Sequence, residues 1–173
     1  MNIILLGYMG SGKSTLGRKL ATALEYPFID LDDYIEEKEQ QPISEIFKTK
    51  GEIYFRKKEH EYLKALLKTS TKVVLALGGG TPCYANNMTL IQEQPNTTSF
   101  YLKASIKELV LRLMHERAKR PILSRIETEE DLTEFIGKHL FERTSFYNEA
   151  DVVIDVNQTT EIAILDQVMS HLV

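Results

Sequence analysis

The sequence predicts an α/β domain built on a five-stranded parallel sheet flanked by helices. Three observations predict it. Short apolar runs alternate with longer segments of helical period along the 173-residue chain. The runs Ile3-Ile4-Leu5-Leu6 and Val73-Val74-Leu75-Ala76-Leu77 are continuous, as strands buried on both faces are. The first run opens into Gly7-Tyr8-Met9-Gly10-Ser11-Gly12-Lys13-Ser14-Thr15, the pattern G-x-x-x-x-G-K-[ST] between a strand and a helix.

Each element follows in order. Strand one covers 2–6. The helix after the glycine loop covers 13–24, with Leu16, Leu20, Ala23 and Leu24 as its apolar stripe. Glu25-Tyr26-Pro27 breaks it. A short second strand starts at Phe28 and ends at its acidic residues, Asp30-Leu31-Asp32-Asp33, and a short helix covers 33–38 with Asp33 as a candidate N-cap. A helix over 43–49 begins near Pro42 and Ser44 and stops at Gly51. The next, over 52–68, carries Phe55, Glu59, Tyr62, Leu63 and Leu66 on one face, with Arg56 beside Glu59. Strand three covers 73–77 and runs into Gly78, Gly79 and Gly80. A short helix covers 86–93, a fourth strand 98–102, and a helix 105–117 carries Ile106, Leu109, Val110 and Leu113. The basic stretch 117–125 has no period. A helix over 129–148 aligns Leu132, Ile136, Leu140, Arg143 and Tyr147, and a fifth strand over 151–156 precedes a closing helix over 160–172.

Composition narrows the function classes. The chain is read as one domain, 1–173, of ordinary size for a single core. A net charge of −4 gives no global basic footprint for nucleic acid. No apolar run approaches the roughly 18 residues of a membrane span, and no leader is evident. The single cysteine, Cys83, cannot form an internal disulfide, which fits a reducing cytoplasm. No long apolar surface helix asks for a partner, so a monomer is expected.

The glycine loop is a phosphate cradle. Its glycines let backbone N–H groups turn inward, and the following helix adds its positive end. Lys13 reaches the β- and γ-phosphates and Ser14 binds Mg²⁺ through its hydroxyl, so the chain binds a nucleoside triphosphate. In a parallel sheet ligands bind beyond the carboxyl ends of the strands, which brings the loop, Asp30–Asp33 and the three glycines together. Of Asp30 and Asp32, two apart at a strand end, one supports Mg²⁺ and the other accepts a hydrogen bond from an acceptor hydroxyl as its base; helix capping is the alternative. Arg56 and Glu59 lie on an apolar face, where charges must pair or bind something. Either they satisfy each other or Glu59 aims Arg56 at an anion. Arg143 on its apolar face repeats the argument, and two inward arginines suggest an acidic small molecule. Gly78, Gly79 and Gly80 allow close approach to the backbone. The stretch 117–125 suits a lid that excludes water, with Arg120 reaching the transferring phosphate.

Together these residues resemble the shikimate kinase family. The resemblance runs from Gly7 to about Val156: the P-loop, Asp30-Leu31-Asp32, Phe55-Arg56-Lys57-Lys58-Glu59, Gly78-Gly79-Gly80, Arg120-Pro121-Ile122-Leu123, and Glu142-Arg143 with Tyr147, in the family's order. It implies a P-loop kinase fold with a mobile lid at about 112–126 and an acceptor-binding segment at about 32–60. It implies transfer of the ATP γ-phosphate to the 3-hydroxyl of shikimate, on the route to chorismate and the aromatic amino acids. By position, Gly10, Ser11, Gly12, Lys13, Ser14 and Thr15 bind ATP, Ser14 and Asp30 hold Mg²⁺, and Lys13, Asp32 and Arg120 carry catalysis. Asp32, Arg56, Gly78, Gly79, Gly80 and Arg143 line the shikimate site, and Arg112 falls against the adenine. The chain departs from the pattern in a lid about one residue longer, and in Asn157-Gln158-Thr159, which lacks the arginine some members place near adenine.

Three alternatives have distinct signatures. A gluconate kinase shares the P-loop but not the two inward arginines and three glycines. A GTP-dependent switch needs Asn-Lys-x-Asp after a late strand, and the sequence has none. A non-catalytic nucleotide-binding module has no use for Lys13, Asp32 and Arg120 together.

Overall fold

The structure, a computed structural model, describes residues 1–116 and 120–172. Five strands pair in parallel in the order β2-β3-β1-β4-β5. They are β1 (Asn2–Leu6), β2 (Phe28–Asp30), β3 (Val74–Ala76), β4 (Thr97–Lys103) and β5 (Val152–Asp155). The helices are α1 (Lys13–Leu24), α2 (Leu31–Glu39), α3 (Ile43–Thr69), α4 (Asn87–Gln92), α5 (Ile106–Glu116), α6 (Glu129–Tyr147) and α7 (Glu161–Ser170). All five residues of β1 and all three of β3 are buried, as the continuous apolar runs predict.

Two details differ from the sequence expectation. The helices expected over 43–49 and 52–68 run into one another as α3, broken only at Gly51, which sits at φ 84° and ψ 170°. A glycine reaches that conformation without a Cβ clash, so the chain turns a corner without a separate loop. The second difference bears on the site. α2 starts at Leu31 rather than near Asp33, and its N-cap is Asp30, whose Oδ1 accepts from the Asp32 amide at 3.1 Å. Asp33 is therefore not the cap but lies in the first turn. Asp32 projects from a helix, not from a strand end.

The order β2-β3-β1 fixes the geometry that follows. β3 lies between β1 and β2, with Ile3, Ile4 and Leu5 opposite Val74, Leu75 and Ala76, and Phe28 to Asp30 opposite the same three. The loops leaving the three strands at their carboxyl ends are thus neighbours. α1 lies close on this part of the sheet because Gly17 has no side chain. A Cβ there would stand 2.4 Å from Phe28 Cε2 and 3.2 Å from Leu5 Cδ1.

Gly17→Ala should therefore destabilise the protein, although alanine is the better helix former by about 1 kcal/mol. Overpacking costs about 1–3 kcal/mol and outweighs that gain. Urea unfolding should show a lower midpoint at unchanged m-value; a higher midpoint would mean that the helix has room to shift.

Candidate active site

The phosphate loop leaves β1 through Gly7 (φ 143°), turns at Gly10 (φ 81°) and enters α1 at Gly12 (φ 97°). All three values are glycine conformations, so these positions are fixed by backbone geometry. Lys13 opens α1 and folds back across the loop, donating to the Gly7 and Tyr8 carbonyls at 2.8 and 3.0 Å. Burial is the main cause that lowers its pKa from 10.5 to about 8, offset in part by Asp32 and Asp30. Ser11 Oγ is buried with no hydrogen-bond partner among the described residues, a polar atom that a phosphate oxygen would satisfy.

Ser14 Oγ donates to Asp30 Oδ2 at 2.7 Å. Asp30 thus divides its carboxylate, one oxygen capping α2 and the other facing the first turn of α1. A hydroxyl and a carboxylate oxygen side by side suit a hard, oxygen-seeking cation such as Mg²⁺. Among the described residues no cluster of three or more His, Cys, Asp or Glu forms a dedicated metal cage. That is the usual situation for an ion carried in largely by its phosphates.

Asp32 is half-buried beside the same loop. Its pKa rises from 3.8 to about 6, chiefly by burial, then by the neighbouring charges of Asp30 and Glu59, with Lys13 and Arg56 opposing. It lies directly over the glycine run: a Cβ on Gly78 would stand 2.7 Å from Asp32 Oδ1. A Cβ on Gly80 would likewise stand 2.7 Å from Arg56 Nη2. Neither glycine has a positive φ. The run is therefore required by the close approach of these two side chains, not by a tight turn.

Glu59 explains the charges on the apolar face of α3. It is 1% exposed, and both its oxygens are occupied. Arg56 Nη1 donates to Oε2 at 2.8 Å and Thr81 Oγ1 donates to Oε1 at 2.6 Å. The pair is a salt bridge, and it fixes the direction in which the Arg56 guanidinium projects. The Arg56 guanidinium also lies 4.0 Å from the centre of the Tyr84 ring. Across the cleft, the Arg143 guanidinium approaches Gly79 (3.7 Å from a Cβ placed there) and lies 5.8 Å from the Tyr8 ring centre. Tyr147 donates to the Gly79 carbonyl at 2.6 Å, which ties α6 to the glycine run. The cleft between Arg56 and Arg143 has a volume of about 370 Å³, with Cys83 and His139 also in its wall. Burial pushes the Cys83 thiol up to about 11, so it is no ready nucleophile.

A second cleft, of about 390 Å³, opens on the outer side of the phosphate loop against Gly10, Ser11, Gly12, Thr15, Arg112 and Thr159. Arg112 spans it, donating to Glu108, to the Gly10 carbonyl and to the Val156 carbonyl. It stands inside α5, so 112–116 of the expected lid is regular helix. Arg120 donates twice to Glu116, at 3.1 and 2.7 Å, and its charge reaches Lys13, whose pKa it depresses. Beyond it a 3-10 turn over Pro121–Leu123 buries Leu123 fully. Arg117, Ala118 and Lys119 of the expected lid lie outside the described residues.

Of the sequence-predicted site residues, Gly10, Ser11, Gly12, Thr15 and Arg112 line the outer cleft and Arg56 and Arg143 the other, while Asp32, Arg56 and Arg143 meet over Gly78, Gly79 and Gly80 and Ser14 meets Asp30. Sequence reasoning missed Thr81, Tyr84 and the Tyr8–His139 contact. Only Thr81, next to the glycines, carried a local signal.

Asp32 ties this site to stability. Its carboxyl holds its proton more tightly folded than unfolded, so its favourable contribution is complete below about pH 4 and is lost as pH rises through about 6. The full loss is on the order of 2–3 kcal/mol. Asp32→Asn should therefore raise the urea midpoint at neutral pH, by a margin that opens between about pH 4 and 6 and stays level above. A margin independent of pH would show that the carboxyl titrates normally.

Comparison with known proteins agrees with this geometry. The family model described as shikimate kinase matches residues 9–173. The shikimate kinase of Flavobacterium johnsoniae is 49% identical over 158 residues, 91% of each chain. That of Flavobacterium psychrophilum is 41% identical over 166 residues, 96% of this chain and 95% of its own. Among solved structures, shikimate kinase from Bacteroides thetaiotaomicron superposes with a TM-score of 0.91 at 32% identity, covering 99% of this chain and 98% of that one. Shikimate kinase from Acinetobacter baumannii in complex with shikimate gives 0.85 at 31%, covering 99% and 92%. The chain belongs to the shikimate kinase family.

Proposed function

We infer that this member of the shikimate kinase family transfers the γ-phosphoryl group of ATP to the 3-hydroxyl of shikimate, giving shikimate 3-phosphate and ADP. The observation that carries the reading is the meeting of Lys13 and Asp32 with two opposed arginines, Arg56 and Arg143, over Gly78, Gly79 and Gly80. One side of that meeting point suits a polyphosphate and the other a carboxylate.

Phosphoryl transfer is mostly positioning and charge neutralisation. In this reading the loop amides, Ser11 and Thr15 hold the phosphates of ATP, with Arg112 beside the base. Lys13 exchanges its two carbonyl partners for phosphate oxygens; at a pKa of about 8 it is still mainly charged at neutral pH. Ser14 and Asp30 would hold Mg²⁺, which neutralises phosphate charge when bound. Arg56 and Arg143 grip the acceptor carboxylate from opposite walls, and the planar fork of each favours two-oxygen contact. Asp32 accepts the hydrogen bond of the reacting hydroxyl. Its pKa near 6 leaves it ionised at neutral pH yet basic enough to take a proton as the oxygen–phosphorus bond forms. Arg120, steered by Glu116, neutralises charge on the phosphoryl group in flight.

The domain reading is a single unit in which 32–60 binds the acceptor and 112–126 closes over the nucleotide. No described helix is long and apolar enough to cross a membrane. With Cys83 the sole cysteine, the reading takes the enzyme as a cytoplasmic monomer.

An ADP-release assay with ATP, Mg²⁺ and shikimate tests the function, with gluconate as the control acceptor that should give nothing. Lys13→Ala should lower kcat roughly 10²–10³-fold or more, as removal of a charge-stabilising group does. Arg143→Ala should raise KM for shikimate roughly 10- to 100-fold and leave ATP binding within about twofold, since it removes charge-assisted hydrogen bonds to the acceptor alone. Normal shikimate kinetics in Arg143→Ala would sink the carboxylate assignment.

A further inference from the structure

Tyr8 stands in the phosphate loop, at a position that the loop motif leaves open to any residue. Phosphate binding there uses backbone, so it does not ask for an aromatic side chain. Yet Tyr8 is 2% exposed, and it touches three parts of the site. Its carbonyl accepts from Lys13 Nζ at 3.0 Å. Its hydroxyl shares a 2.8 Å hydrogen bond with Nδ1 of His139 on α6. Its ring faces the Arg143 guanidinium, four residues further along the same helix.

The contact is well defined chemically. Burial pushes the Tyr8 hydroxyl up to about 12, so it keeps its proton. Burial first, and then the charge of Arg143, holds the His139 imidazole below its ordinary pKa and so neutral near pH 7, with Glu142 opposing. The edge of Phe135 packs on the imidazole at 4.5 Å between ring centres. A buried hydroxyl demands a partner, and here the partner lies 131 residues away in sequence. His139 and Arg143 sit at i and i+4, one above the other on one helix face.

We propose that Tyr8 and His139 are positioning residues that tie the phosphate loop to the turn of α6 carrying Arg143. The hydrogen bond fixes where the acceptor-binding guanidinium stands relative to the loop that holds the donor. A planar fork grips a carboxylate only when correctly placed, so loosening this tie weakens acceptor binding while the phosphate cradle, built from backbone, stays intact. The proposal rests on the reading of Arg143 as the acceptor ligand.

The test compares wild type with Tyr8→Phe, His139→Leu, the double variant and His139→Asn, whose amide oxygen falls near the place of Nδ1. Initial rates are measured against shikimate at saturating ATP, and against ATP at saturating shikimate. Each single apolar variant should raise KM for shikimate roughly three- to tenfold, the scale of one hydrogen bond. kcat and KM for ATP should stay within about twofold, the double variant should be no worse than the singles, and His139→Asn should recover most of the loss. Thermal midpoints serve as the folding control. An unchanged KM for shikimate, additive effects, or equal losses for both substrates would each overturn the proposal. If wild type itself fails to phosphorylate shikimate, the acceptor reading falls and the tie with it; if wild type is active and the variants match it, only the tie falls.

Discussion

The buried carboxylate of Glu59 is the constraint on which the arginine-lined half of this site depends. An ionised carboxylate at 1% exposure survives only with strong partners on both oxygens. Arg56 supplies one and Thr81 the other. That pairing sets the direction of Arg56, anchors the chain just after the glycine run, and places a negative charge near Asp32. Arginine placement, loop placement and pKa tuning follow from one buried group. The network extends further back, since Asn87 donates to the Thr81 carbonyl and shares a hydrogen bond with His60. α3, α4 and the Thr81 turn are thereby locked behind the pocket, while the buried Arg56 Nε keeps no hydrogen-bond partner among the described residues.

The strand order does the rest. β3 between β1 and β2 places the glycine run between the phosphate loop and Asp30. Asp32 then reaches over Gly78 from one side, Arg56 over Gly80 from the other, and Arg143 approaches Gly79 from α6. Three consecutive residues without side chains form the floor on which three charged groups meet. The cost is local: the glycines add flexibility to the unfolded chain, and the ionised Asp32 opposes folding at neutral pH. A site that concentrates charge in a poorly solvated wedge gives up some stability for a carboxylate with a pKa near 6, which the proposed function uses as the base.

Much of this was legible in the sequence because it is local. The phosphate loop, the continuous strands, the apolar face of α6 and the misplaced charge pair on α3 all lie within a few residues or helical turns. The start of α2 is ambiguous in sequence because Asp30, Asp32 and Asp33 offer three possible caps; in the structure Asp30 caps with one oxygen and meets Ser14, 16 positions away, with the other. The cause of the glycine run was also hidden, since a run of glycines reads alike whether it serves a turn or a close approach. Tyr84 on Arg56 and Tyr8 on His139 had no local signal at all; both depend on elements brought together by the whole fold.

The nucleotide side shows how a departure in sequence can be absorbed. Asn157, Gln158 and Thr159 offer no arginine toward the base. Arg112 instead bridges from α5 to carbonyls on both walls of the cleft, Gly10 in the loop and Val156 after β5, with Glu108 on its Nε. Three of its five N–H donors are thereby committed to protein, while the flat faces of a guanidinium remain chemically suited to stacking on an aromatic ring. Stacking on a base reads planarity rather than hydrogen-bond pattern. In the proposed function, Arg112 therefore serves chiefly to hold the two walls of the cleft together, Gly10 on one side and Val156 on the other.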